Sequence, residues 1–221
     1  MTTGANDDEL DAGEYASPPC FMHELQPEFR PQPGRELPAE VKRWRKAERE
    51  RLIAARLELP ADTRAEHSRR IAEKLDGLIG DVAGQTVALY WPFRGEPDLR
   101  GWAESVRARG GDVALPVVIA KAQPLIFRLW KPGEKLEKGV WNIPIPAAGD
   151  PVLPDIVISP VVGFDGGNYR LGYGGGFYDR TLAAMPRRPR ILGVGYAMQR
   201  IPTIYPHGHD IPMDAVLTEE A

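Results

Sequence analysis

Alternating helical and extended patterns predict a layered α/β fold built on a largely parallel sheet. Apolar strand-like runs recur between helix-like segments over residues 41 to 218. The run Ile156-Val157-Ile158-Ser159-Pro160-Val161-Val162 is almost continuously apolar, as a strand covered on both faces requires. No internal repeat is found.

The elements follow in order. From Val41 the chain turns helical, with Val41, Trp44, Ala47, Leu52 and Ala55 on one face. Lys42, Arg43, Arg45, Lys46, Arg49 and Arg51 surround that face, which by itself describes a solvated basic helix. Thr63-Arg64-Ala65-Glu66 fits a capping box opening a second helix through Ile79, with Ile71, Ala72, Leu75 and Leu78 inward. Gln85–Trp91 reads as a strand, Pro97–Arg109 as a helix, and Asp112–Val118 and Leu125–Trp130 as strands. After a proline-rich connection come the strand at 155–160, a glycine-dense loop and a helix over Phe177–Met185. Ile191–Ala197 and Asp214–Thr218 supply two last strands.

Length and composition bound the reading. The 221 residues, 43% hydrophobic, support one sizeable core. No apolar run approaches the about 20 residues of a membrane-spanning helix, and the start lacks a secretory pattern. A single cysteine excludes an internal disulfide and suits a reducing compartment, so a cytoplasmic protein is expected. A net charge of −3 argues against nucleic acid as the main partner. Residues 1–40 form an acidic, proline-rich arm, expected to be extended or disordered, ahead of a single domain over 41–221. Cys20-Phe21-Met22-His23 within it offers two of the four ligands that tetrahedral zinc needs, so packing of its apolar cluster is the plainer reading.

The most specific chemistry lies in residues 163–180, Gly-Phe-Asp-Gly-Gly-Asn-Tyr-Arg-Leu-Gly-Tyr-Gly-Gly-Gly-Phe-Tyr-Asp-Arg. A strand, a glycine-dense loop and a helix in that order make an anion cradle, since backbone N–H groups and the helix N-terminus face the ligand. Arg170 and Arg180 bracket the loop with cations suited to phosphate, and Asp179 stands where a divalent cation would sit beside those phosphates. The structural alternative is a glycine-rich turn between core elements.

Phe164-Asp165 followed by Asn168-Tyr169-Arg170-Leu171-Gly172-Tyr173-Gly174-Gly175-Gly176-Phe177-Tyr178-Asp179-Arg180 closely resembles the signature of 5-formyltetrahydrofolate cyclo-ligase, also called 5,10-methenyltetrahydrofolate synthetase. Many members carry lysine where this chain has Gly175. The resemblance runs from about Val41 to the C-terminus. It implies a three-layer α/β/α architecture related to sugar-phosphate isomerases and CoA transferases. It also implies an ATP- and Mg²⁺-dependent cyclisation of 5-formyltetrahydrofolate to 5,10-methenyltetrahydrofolate through an N5-iminium phosphate, releasing ADP and phosphate. Such chemistry needs positioning and charge neutralisation more than a protein nucleophile.

The resemblance assigns residues as well. The family's Lys-x-x-x-Arg helix element falls on Arg45 and Arg49, which share a helix face; a one-turn alternative uses Lys42 and Lys46. With Arg170, Leu171, Gly172, Tyr173, Gly174, Gly175, Gly176, Phe177 and Tyr178 these form the implied ATP site, Arg170 and Tyr178 being catalytic. Asp179 and Asp210 are the implied Mg²⁺ ligands. His207-Gly208-His209-Asp210 invites a zinc reading, but the resemblance requires neither histidine. The folate pocket draws on Trp91, Glu96, Trp141 and Tyr173, with Glu96 accepting paired N–H bonds from the pterin and the tryptophans offering flat surfaces. Trp141-Asn142-Ile143-Pro144 resembles a substrate-loop motif, with Ile145 where others have glutamate or glutamine. The partners implied are reduced folate and ATP, the protein being a monomer or weak homodimer. Two other readings stand beside the enzyme: a non-catalytic folate- or nucleotide-binding relative and, by fold analogy, a sugar-phosphate isomerase.

Overall fold

The structure is a computed structural model describing residues 37–220. The acidic arm up to residue 36, with its Cys20–His23 pair, lies outside the described residues. Two helices open the domain, α1 (Ala39–Glu58) and α2 (Ala61–Ile79). Pro60 separates them. It holds the preceding Leu59 in an extended conformation, φ −62° and ψ 129°, which ends α1. The expected capping box therefore falls inside α2: Pro60 occupies the N-cap position and no side chain caps the helix.

The buried positions of α1 are Val41, Arg45, Leu52 and Arg56, whereas Ala47, expected inward, is exposed. Helix α2 buries Ile71 and Leu75, but Leu78 is 40% exposed because α2 ends one residue later. In α1 the buried row contains two arginines, Arg45 and Arg56.

The remaining elements are β1 (Thr86–Ala88), α3 (Arg100–Ala108), β2 (Asp112–Val118), β3 (Leu125–Leu129), β4 (Leu136–Lys138), β5 (Pro144–Pro146), β6 (Pro151–Val152), β7 (Ile156–Pro160), β8 (Gly163–Phe164), β9 (Arg170–Leu171), α4 (Phe177–Ala184), β10 (Arg190–Val194) and β11 (Ala215–Leu217). Seven strands form the main sheet in the order β11-β10-β7-β1-β2-β3-β6. The pairs from β11 through β2 are parallel, and β3 and β6 add an antiparallel edge. Two short hairpins, β4–β5 and β8–β9, were not legible in the sequence.

Period-2 alternation assigns the two sheet faces. Val87, Val113, Ile156, Ile158 and Leu192 meet Ile71 and Leu75 of α2 and Trp102, Ala103 and Val106 of α3. On the opposite face Ala88 pairs with Ala114 and Val157, and these small side chains pack with Phe127, Tyr178 and Met185. Helices therefore cover both faces. Helix α1 lies beyond the carboxyl ends of the strands, with Leu52 packed among Val162, Leu171, Ile201 and Ile204.

The order in which strands are added reverses between β1 and β7. The chain proceeds to β2 on one side, and later returns through β7 to β10 on the other. The carboxyl ends of β1 and β7 thus flank a switch point, where α/β sheets characteristically bind ligands.

Candidate active site

A cavity occupies that switch point. Its walls come from the carboxyl end of β1 (Tyr90, Trp91), the following turn (Phe93, Glu96), Pro116 and Val118 of β2, Pro160 of β7, the hairpin approach (Trp141, Ile143, Ile145) and the loop from Arg170 to Asp179. Arg45 and Arg49 of α1, and Asp210, complete it. Of the residues expected to meet ATP, folate or metal, all but Arg180 line this cavity. Lys42 and Lys46, the alternative register, are exposed.

The glycine loop requires left-handed backbone at Gly174 (φ 91°) and Gly176 (φ 62°), the latter acting as N-cap of α4. A Cβ at Gly174 would stand 3.4 Å from Arg49 Cζ, so the guanidinium lies directly on the loop backbone. Arg49 also donates from Nε to the Gly172 carbonyl at 2.6 Å. Burial and then the adjacent Arg45 cation pull the Arg49 pKa below its ordinary value, opposed by Asp210. Arg45 is itself held by the carbonyls of Ile204 and Tyr205 and by Asp210, 2.6 Å away.

Arg180 departs from expectation. It turns back over the Phe177 ring at 5.4 Å and donates to the Gly175 carbonyl, bracing the loop from outside the cavity. Arg170 remains beside the cavity, but its side chain is only 3% exposed. It pairs with Asp179 Oδ1 at 2.6 Å and stacks over Tyr178 at 5.6 Å. Burial, and next the negative Glu96, push the Tyr178 phenol upward, so it serves as a protonated O–H group.

The two aspartates fit a divalent cation. Asp179 Oδ1 accepts from Arg170 and the Ile211 N–H; Asp210 Oδ2 accepts from Arg45 and the His207 N–H. Among the described residues, no hydrogen bond from another residue falls on Asp179 Oδ2 or Asp210 Oδ1. Burial raises the Asp179 pKa, Arg170 and the Ile211 N–H oppose the rise, and Asp210 adds a smaller upward push. Two carboxylates completed by phosphate oxygens and water suit Mg²⁺. Among the described residues no group of three His, Cys, Asp or Glu side chains forms a metal site from protein ligands alone.

At the other end lies Glu96, 5% exposed. Its Oε2 accepts the Phe93 N–H at 2.9 Å and its Oε1 accepts the Tyr173 hydroxyl at 2.9 Å. Burial raises the carboxyl to about 7, opposed by the positive charge of Arg56. Trp91 packs edge-on against Trp130, with Arg100 over its ring at 4.9 Å. Trp141, 56% exposed, lies nearly parallel to Phe93 at 6.5 Å. Its own φ of 57° and that of Asn142 turn the loop sharply enough to present the indole to the cavity.

Arg56 escaped the sequence reading. It is the largest fully buried side chain, and it donates to the Tyr173 hydroxyl at 2.7 Å. The signal was available: positions 41, 45, 49, 52 and 56 fall on one helical stripe, so a charge at 56 is carried inward with Leu52.

A model of the 5-formyltetrahydrofolate cyclo-ligase family matches residues 41–219. The chain belongs to that family. Among cyclo-ligases of known sequence, that of Haemophilus influenzae is 30% identical over 176 residues, covering 76% of this chain and 92% of the relative. The cyclo-ligase of Escherichia coli is 35% identical over 144 residues, covering 62% and 79%. The cyclo-ligase fold is shared with the solved 5,10-methenyltetrahydrofolate synthetase of Aquifex aeolicus, at TM-score 0.69 and 29% identity over 80% of this chain and 90% of that one. The synthetase of Mycoplasma pneumoniae superposes at TM-score 0.66 with 23% identity, over 80% and 99%.

Proposed function

We propose that this cyclo-ligase uses ATP and Mg²⁺ to convert 5-formyltetrahydrofolate to 5,10-methenyltetrahydrofolate, releasing ADP and phosphate. The supporting observation is the joining, in one cavity, of a cationic glycine loop with Arg45 and Arg49 to an aromatic end carrying Glu96. Family membership fixes the reaction class, and the two ends match the two substrates.

Arg49, Arg45 and the loop N–H groups receive the nucleotide phosphates, while Trp141, Trp91 and Glu96 take the folate. The formyl oxygen attacks the γ-phosphorus and ADP leaves. Electron density from N5 gives the iminium phosphate. N10 then attacks the formyl carbon, losing its proton, and phosphate departs with the formyl oxygen. The chain's task is alignment and neutralisation of charge, because these steps need no protein nucleophile. Asp179 and Asp210 would hold Mg²⁺, which when bound neutralises charge on the phosphate oxygens. Arg170 keeps Asp179 oriented and adds positive charge, and the Tyr178 phenol offers an O–H group. The three-layer arrangement invites a distant relationship to sugar-phosphate isomerases and CoA transferases. We place the protein in the cytoplasm as a monomer or weak dimer.

The test follows the near-ultraviolet absorbance of the methenyl product, with purified protein, 5-formyltetrahydrofolate, ATP and Mg²⁺, omitting each in turn. Growth of the signal only in the complete mixture is expected. Binding of either ligand without product would instead indicate a non-catalytic relative.

A further inference from the structure

Arg56 carries a buried charge that the reaction as proposed does not use. It is 0% exposed, and among the described residues no carboxylate lies within ion-pair distance of it. A buried guanidinium is costly unless its donors are fully occupied. Each of the three nitrogens has a partner: Nε donates to the Arg94 carbonyl at 2.9 Å, Nη1 to the Val161 carbonyl at 3.2 Å, and Nη2 to the Tyr173 hydroxyl at 2.7 Å, with the Phe93 carbonyl 3.5 Å away.

Apart from the Val161 carbonyl, these partners lead to Glu96. Tyr173 has one hydroxyl proton, and its oxygen already receives an N–H from Arg56. Its proton is therefore directed to Glu96 Oε1 at 2.9 Å, in preference to the Phe93 carbonyl at 3.4 Å. The turn over residues 93 and 94, clamped by its carbonyls, presents the Phe93 N–H to Glu96 Oε2. Arg94 takes a left-handed φ of 48° in that turn, a conformation that needs such external support. The result is an ion pair relayed through a phenol, with both carboxylate oxygens pinned from behind.

We propose that Arg56 is a positioning residue for folate recognition: through Tyr173 and the 93–94 turn it fixes the orientation and charge of Glu96 toward the cavity. This inference rests on the folate reading of the site. The groups facing Glu96 are Arg56 from α1, Tyr173 from the glycine loop, Tyr90 from the end of β1 and Tyr178 from α4. The three phenols are all raised above their ordinary value, chiefly by burial, so near neutrality Arg56 is the single charge among them.

Two measurements on the full chain decide the matter. Steady-state kinetics give KM for 5-formyltetrahydrofolate and for ATP separately. Carbon-13 NMR of labelled glutamate gives the Glu96 titration midpoint without any ligand. Arg56→Met is expected to raise the folate KM about tenfold or more, the loss of one charge-assisted contact, with the ATP KM unchanged. It is also expected to move the Glu96 midpoint upward from about 7. Arg56→Lys keeps the charge but not the fan of donors, so it restores the midpoint and leaves the folate KM raised. Should Arg56→Met not fold, Tyr173→Phe breaks the relay, and because Tyr173 also lines the cavity the ligand-free Glu96 midpoint is its deciding readout, expected to rise. An unchanged folate KM with an unmoved midpoint, in whichever variant folds, would overturn the proposal. If the wild-type protein turns over no folate, the cyclo-ligase reading fails, while the ligand-free midpoint still decides whether Arg56 governs Glu96.

Discussion

Replacing Glu96 by glutamine tests the electrostatics of the pocket without any ligand. The carboxyl rises from 4.5 to about 7 on folding, mainly through burial. A folded value above the unfolded one means that the native state binds the proton more tightly. The associated stability is complete below pH 4.5 and is lost as pH rises through about 7. At about 1.36 kcal/mol per tenfold change in proton affinity, the loss is about 3 kcal/mol. Glutamine has nearly the same shape and does not titrate. The unfolding free energy of Glu96→Gln, minus that of wild type, should therefore climb by about 3 kcal/mol from pH 4.5 to about pH 8. Urea unfolding at several pH values measures it, and a corresponding gain of about 6 to 12 °C in relative Tm is expected. The comparison cancels every other titrating group common to both proteins. A difference that stays flat across the window would refute the reasoning, because the carboxyl would then have its ordinary affinity for protons in the folded state.

Other substitutions separate the two ends of the cavity. Arg45→Met strands the Asp210 carboxylate and two carbonyls; about 3 kcal/mol of stability should be lost, with the ATP KM raised at least as strongly as the folate KM, as urea unfolding and kinetics would show. Asp179→Asn should move the Mg²⁺ requirement to higher concentration and lower turnover more than tenfold, with folate affinity by calorimetry unchanged. Trp141→Ala should raise the folate KM about threefold to tenfold and leave Tm almost untouched, since the indole is largely exposed.

The layered fold was legible because its signals are local. Apolar runs gave the parallel strands, and Asp112–Val118 matches β2 at both ends. The antiparallel edge and the small hairpins were not legible, since strands of two or three residues carry no periodicity. The cavity was legible as a loop and a family signature, which gathered residues from distant segments in advance of any geometry. Arg180 shows the limit of that approach. A cation beside a glycine loop suggests an anion ligand, yet here it finds the Gly175 carbonyl and the Phe177 ring. Arg56 shows the converse: basic residues on a helix read as solvated, and only a count along the stripe reveals which are turned inward.

The small side chains on the α4 face of the sheet have a consequence for how this protein tolerates change. Ala88, Ala114 and Val157 allow Tyr178 to settle against the strands, and Asp179 follows it in the same turn of helix. A methyl group added at Ala88 or Ala114 would meet no ligand, yet it would displace the helix that carries Asp179. In a deep survey of substitutions, these interior positions should therefore score as activity-sensitive while larger residues there still yield folded protein. A map of functional constraint would extend through the middle of the sheet, well past the residues that line the cavity.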